Sequence, residues 1–172
     1  MNMGKDISFI TELKPNEVFV FGSNTAGRHG KGAARRARLM FGAENGVGEG
    51  MTGQCYAFPT LDGRLQRLSH GRLVIGRLRL YDTCLRNPGL TFLLTKVGCG
   101  LAGFSEDFMK SLFHNPPKNL KLPKDWDPYG GTVWVQCEEC GHEQSDMGNS
   151  VRCEECGWGP MPTGDKPMKQ HG

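Results

Sequence analysis

The apolar positions along the chain fall into short, unbroken runs rather than a single long one. Val18-Phe19-Val20-Phe21 is the first, cut off by Gly22. A run of β-branched and aromatic residues of that length, closed by glycine, predicts a strand buried on both faces. Thr91 to Thr95 repeats the pattern, and Cys55-Tyr56-Ala57-Phe58 forms a third strand that Pro59 is expected to halt. Between these runs the spacing changes. From Ser69 to Asn87, the residues Val74, Leu78, Tyr81 and Leu85 recur at helical intervals, and Asn87-Pro88-Gly89 closes the element. A second helix is predicted from about Ala33 to Phe41, in a stretch of Ala, Arg, Leu and Met. A third follows Ser105, whose hydroxyl can cap it, with Glu106 and Asp107 suiting the dipole of its first turn. Lys14-Pro15-Asn16 reads as a turn before the first strand, and Gly42 to Gln54 reads as loop. Strands alternating with helices predict an α/β fold with a mixed, mostly parallel sheet flanked by helices.

Two of the strands run into glycine-rich segments. Gly22, Ser23, Asn24, Gly27, Arg28, Gly30, Lys31 and Gly32 follow the first; Gly98, Cys99, Gly100, Leu101, Ala102, Gly103 and Phe104 follow the Thr91 run. Strand, glycine loop and helix in that order bring bare backbone N–H groups and a helix N-terminus toward an anion. A plain strand-to-helix turn uses glycine in the same way. The spacing fits neither common nucleotide signature, since Gly27 is followed by Arg28-His29 and the glycines run G-x-x-G-x-G. In parallel sheets ligands bind where strands end, so both loops can face one ligand.

Charge sharpens this picture. The chain carries a net +3, but residues 1–115 hold 15 Lys+Arg against 9 Asp+Glu, whereas residues 116–172 hold 6 against 9. Arg28, Lys31, Arg35, Arg36 and Arg38 crowd beside the first loop, which favours an anionic ligand over a merely solvated face. No apolar run reaches the roughly 18 residues of a membrane span, and the N-terminus lacks a signal-peptide core, so no membrane partner and a cytoplasmic location are expected.

The C-terminal part obeys a different rule. Cys137 and Cys140, then Cys153 and Cys156, form two C-x-x-C pairs, each followed by glycine. Four thiolates at that spacing suit one tetrahedral ion, Zn²⁺ ahead of iron, in a closed and therefore structural site. The predicted layout is a ligand-binding domain over 1–115, a Pro/Lys-rich linker over 116–131, a zinc ribbon over 132–162 and a disordered tail over 163–172. Val133-Trp134-Val135 and Ser150-Val151-Arg152 are its expected strands.

With both loops in view, the chain resembles macrodomain-type ADP-ribose-binding proteins, and within them a compact macro-like family common in bacteriophage and bacterial genomes. The likeness rests on Phe19 to Ala34, Phe41 to Gly50, Gly53 to Pro59 and Thr95 to Phe104, and covers roughly residues 17–113. It implies a macro-like fold and an ADP-ribose or related nucleotide ligand, with Asn24 near the distal ribose and the two glycine loops around the diphosphate. It also implies a host-cytoplasm location if the gene is a phage's. Gly4-Lys5-Asp6-Ile7 is a loose echo of the family's Gly-Asp-Ile, which assigns Asp6 to the adenine amino group. A branch of the family removes ADP-ribose from protein carboxylates or DNA bases, using an Asp where this chain has Ala102 and a Lys near where it reads Pro59-Thr60-Leu61-Asp62. Hydrolysis of an ADP-ribosyl or ADP-ribose-phosphate bond would therefore fall to other groups, with His29 and Asp62 as catalytic candidates. By residue type Lys96 can balance phosphate charge, Glu49 is a further acidic candidate and Cys99 a candidate nucleophile. The alternative is a nucleic-acid-interacting accessory protein using the basic helix, the linker and the ribbon; in either case the C-terminal module is expected to meet a protein or nucleic-acid partner.

Overall fold

A computed structural model describes residues 10–126, 133–136 and 143–146 of the 172. The chain divides into two units, Met1–Trp126 and Asp127–Gly172. The first is α/β: β1 (Glu17–Asn24), α1 (Gly32–Met40), β2 (Gly50–Thr52), β3 (Cys55–Leu61), α2 (His70–Arg86), β4 (Thr91–Leu94), α3 (Glu106–Leu112) and β5 (Leu120–Lys121). The strands form one mixed sheet in the order β2-β3-β1-β4-β5. β1 pairs in parallel with both β3 and β4, β5 is parallel to β4, and only β2 runs antiparallel, against β3.

β1 is central because alternate residues feed both faces of the sheet. Phe19 and Phe21 join Ala34, Ala37 and Phe41 of the α1 side in one apolar cluster. Val18 and Val20 join Leu73, Leu80, Met109 and Leu112 of α2 and α3 in the other. A strand with helices on both faces has no solvent side, hence its unbroken apolar run.

Three expectations change. Pro59 does not end β3, which continues to Leu61 with Pro59 opposite Ser23. β2 pairs only with Cys55, Tyr56 and Ala57, so on that side Pro59 has no strand neighbour and its missing N–H costs no ladder bond. The Gly42–Gln54 loop contains β2. In α2 the buried face is Leu73, Gly76, Leu80 and Cys84, while Leu78 and Leu85 of the expected stripe are 54% and 68% exposed. Two apolar stripes lie one residue apart on this helix. Packing selects the one containing Gly76, because there a Cβ would already touch the Phe58 ring at 3.4 Å.

The expected linker also changes. Residues 116–126 belong to the first unit: β5 completes the sheet, and Trp126 is buried and stacked on Phe113. Prolines and lysines suggested an extended arm, but Pro116, Pro117, Leu120 and Pro123 are buried while the lysines point outward. In the second unit, β6 (Val133–Gln136) and β7 (Glu143–Asp146) form an antiparallel hairpin with Gln136 opposite Glu143. The four C-terminal cysteines, the Ser150–Arg152 strand, the tail and Asp6 lie outside the described residues. No described helix is long and apolar enough to cross a membrane.

Candidate functional site

The first glycine segment is held open from below. The Asn24 side chain donates to Arg28 O at 2.9 Å and accepts from Arg28 N at 3.1 Å, so its amide shapes the loop. Gly27 sits at φ +66° against the Gly46–Val47 backbone, where a Cβ would lie 2.4 Å from Gly46 C. The Ser23 hydroxyl donates to Gly48 O, tying the same neighbour loop to β1. The loop delivers Lys31 as the N-cap of α1, in extended backbone, with no side-chain cap and no acidic residue in the first turn. The first N–H groups of an uncapped helix have no intrahelical acceptor. They are the strongest anion donors a backbone offers.

The second segment leaves β4, the immediate parallel neighbour of β1. Its N–H groups at Val97, Cys99, Gly103 and Phe104 bond within the turn. Those of Gly98, Gly100 and Leu101 donate to no backbone carbonyl among the described residues. Ser105 caps α3 by accepting from Phe108 N at 3.2 Å, with Glu106 and Asp107 in the first turn. Lys96 reaches Asp125 at 2.9 Å and Glu106 at 3.1 Å, and these hydrogen bonds, Asp125's foremost, raise its ammonium pKa above the ordinary range.

A third wall was not foreseen. After Thr60 the chain turns back on itself, with Leu61 bridged to Arg67 and Leu68 N bonded to Thr60 O at 3.0 Å. Asp62 builds the tip: its Oδ1 accepts from Arg64 N at 2.8 Å and Gln66 N at 2.9 Å. Leu65 occupies φ +61° there. The tip is tied to both glycine loops. Arg28 donates to Gly63 O, while Arg67 donates to Ala102 O at 2.7 Å and Gly103 O at 2.8 Å and lies over the Phe104 ring.

The three walls enclose a cleft of about 680 Å³. From the first loop, Gly22, Ser23, Asn24, Arg28, Gly30, Lys31 and Gly32 line it; from the second, Gly98, Gly100, Leu101 and Ala102 do. Gly27, Cys99, Gly103 and Phe104 do not: Gly27 is packed beneath, and Phe104 stacks on Phe108. Cys99 is half-buried, and burial raises its thiol pKa, which disfavours the thiolate a nucleophile needs. Lys96, by residue type a candidate phosphate counter-charge, lines it too, and the lining residues not assigned to a site from the sequence are Thr60, Leu61, Leu65, Thr95 and Val97, with Ala33 and Ala34 of α1. Their signal in the sequence was position alone, at or just past strand ends.

Neither catalytic candidate lines the cleft. His29 is 2% exposed, edge-on to Phe21, with Nε2 at 3.1 Å from Val47 O; Nδ1 has no hydrogen-bond partner among the described residues. Against a carbonyl, Nε2 must carry the proton, which fixes the tautomer and leaves the ring a packing role. Asp62 spends its carboxylate on the hairpin tip. Glu49 pairs with Arg79 at 2.7 Å, away from the cleft. Comparison of the chain with protein-family models, curated proteins and solved structures finds no match.

Proposed function

We propose that this protein binds ADP-ribose or a related nucleotide diphosphate in the cleft between its two glycine loops, as a macro-like module. One observation carries this reading: the N-terminus of α1, which has no side-chain cap, and the amides of Gly98, Gly100 and Leu101, which donate to no carbonyl among the described residues, border the same cleft from adjacent strand ends. Two sets of N–H groups on one cleft, with Arg28 and Lys31 beside them, match a pyrophosphate better than a single phosphate. Lys96 contributes little net charge, being neutralised by Glu106 and Asp125. Among the described residues no carboxylate and no imidazole lines the cleft, so its side chains support binding over hydrolysis.

Gly30→Glu tests the reading cleanly. A Cβ at Gly30 meets nothing within 4 Å, so the variant should keep the wild-type melting temperature while setting a carboxylate at the phosphate seat. Like-charge contacts of this kind cost several kcal/mol, so calorimetric affinity for ADP-ribose should fall roughly a hundredfold or more. Wild-type protein that shows no heat and no thermal shift with millimolar ADP-ribose would end the proposal.

The C-terminal unit is proposed to be a structural zinc ribbon. The β6–β7 register supports it, since the hairpin's connection is the segment carrying Cys137 and Cys140. Cys137 and Cys140, two residues apart in the sequence between β6 and β7, would supply two thiolates to one ion, and Cys153 and Cys156 would complete the set. Elemental analysis should give one zinc per chain, lost in Cys137→Ser. A metal-free wild-type chain purified without chelator would contradict it.

A further inference from the structure

The tip of the third wall breaks a local rule. Asp62 N bonds Gln66 O at 2.8 Å and Leu65 N bonds Asp62 O at 3.1 Å, so Asp62–Leu65 is a tight turn whose last residue, Leu65, is in the left-handed region. Glycine or asparagine normally fills that position, because a Cβ is penalised there. This chain puts leucine there and leaves it 49% exposed on the cleft. The second loop makes the same odd choice. Among its glycines stands Leu101, 74% exposed and lining the same cleft. Leu101 gains little burial from its own fold, Leu65 only about half, and Leu65 carries backbone strain as well. A strained backbone position held without compensation in the core is the kind of feature that clusters at ligand sites.

The two leucines are also held in register. Arg67, two residues beyond Leu65, donates to the carbonyls of Ala102 and Gly103, the next residues after Leu101. The tip cannot drift from the second loop without breaking both bonds.

We infer that Leu65 and Leu101 form an apolar jaw that seats the planar heterocycle of a nucleotide, and that the site selects ring-bearing diphosphates over pyrophosphate alone. This rests on the phosphate reading of the cleft proposed above. Two aliphatic side chains lining one cleft, on loops tied together by Arg67, suit the flat, weakly hydrated face of a base. A nucleoside is favoured over a diphosphate with an alkyl tail by two hydroxyls in the same lining. Thr60 Oγ1 donates to Ser23 O at 3.4 Å and Thr95 Oγ1 to Val20 O at 2.8 Å, so both oxygens are left as acceptors for sugar hydroxyls.

The test uses the full chain, with ADP-ribose, inorganic pyrophosphate and geranyl diphosphate as probes, in wild type, Leu65→Gly and Leu101→Ser. Leu65→Gly removes the side chain and relieves the left-handed strain, so it should melt at or above the wild-type temperature. Each variant should lose about tenfold in ADP-ribose affinity, the scale of one leucine's burial, with pyrophosphate affinity unchanged within about twofold. Wild-type affinity for ADP-ribose in both variants overturns the jaw and leaves the phosphate seat intact. A wild-type preference for geranyl diphosphate over ADP-ribose overturns the choice of a ring. Failure of all three probes to bind removes the phosphate seat and the jaw together.

Discussion

The two glycine loops leave adjacent parallel strands, yet they end in helices of opposite character. The loop after β4 delivers α3 with Ser105 as its cap and Glu106 and Asp107 in its first turn. The loop after β1 delivers α1 with Lys31 at the cap position, no side-chain acceptor and no acid. A capped helix spends part of its N-terminal donor capacity and its first-turn acids repel an anion, whereas an uncapped one without acids keeps that capacity at a cost in stability. On the proposed reading this difference divides the roles: α1 would be the electrostatic seat, and the β4 loop would be the facing wall, supplying backbone amides and an apolar edge.

The contrast within the first loop is the easiest to break and has the largest expected effect. Gly27 and Gly30 lie three residues apart, but only Gly27 packs against another backbone. Gly27→Ala would drive a Cβ to 2.4 Å from Gly46 C at φ +66°, so it should destabilise the protein by about 3 kcal/mol or more in chemical denaturation. Wild-type stability in that variant would mean that the packed base of the loop does not hold it.

Swapping the capping chemistry sharpens the contrast between helices. Lys31→Asp places an acceptor at an extended N-cap position, so it should stabilise the fold by about 1 kcal/mol. The same change fills the anion seat with a carboxylate, and ADP-ribose affinity should drop at least about tenfold. Ser105→Ala should do the reverse on the neighbouring helix: a loss of about 1 kcal/mol in stability and an affinity within about twofold of wild type. If Lys31→Asp were to bind as tightly as wild type, the N-terminus of α1 would not be where the phosphates sit.

Features governed by neighbours in sequence were legible from it. The strand runs of β1 and β4, the Ser105 cap and the glycine segments follow from propensity and backbone sterics acting over a few residues. Misreadings arose where distant partners decide. Pro59 passes through β3 because β2 ends before reaching it, which the local sequence does not encode. The buried face of α2 turns on Gly76 meeting Phe58 rather than on counting leucines. His29 resembled an acid–base group by residue type, until Phe21 and Val47 enclosed it.

By itself, the sequence determined that two strands would each run into a glycine-rich turn, and that cations would gather at the first. It also determined that four cysteines would be paired near the C-terminus. Tertiary structure alone decided that β1 and β4 are side by side, so that both turns share one cleft, and that the Asp62–Leu65 tip closes it through Arg28 and Arg67. Those outcomes depend on strand order and on hydrogen bonds spanning about 35 residues. Residue spacing constrains conformation only within a turn or two, whereas long-range pairing is set by which apolar faces can be buried together.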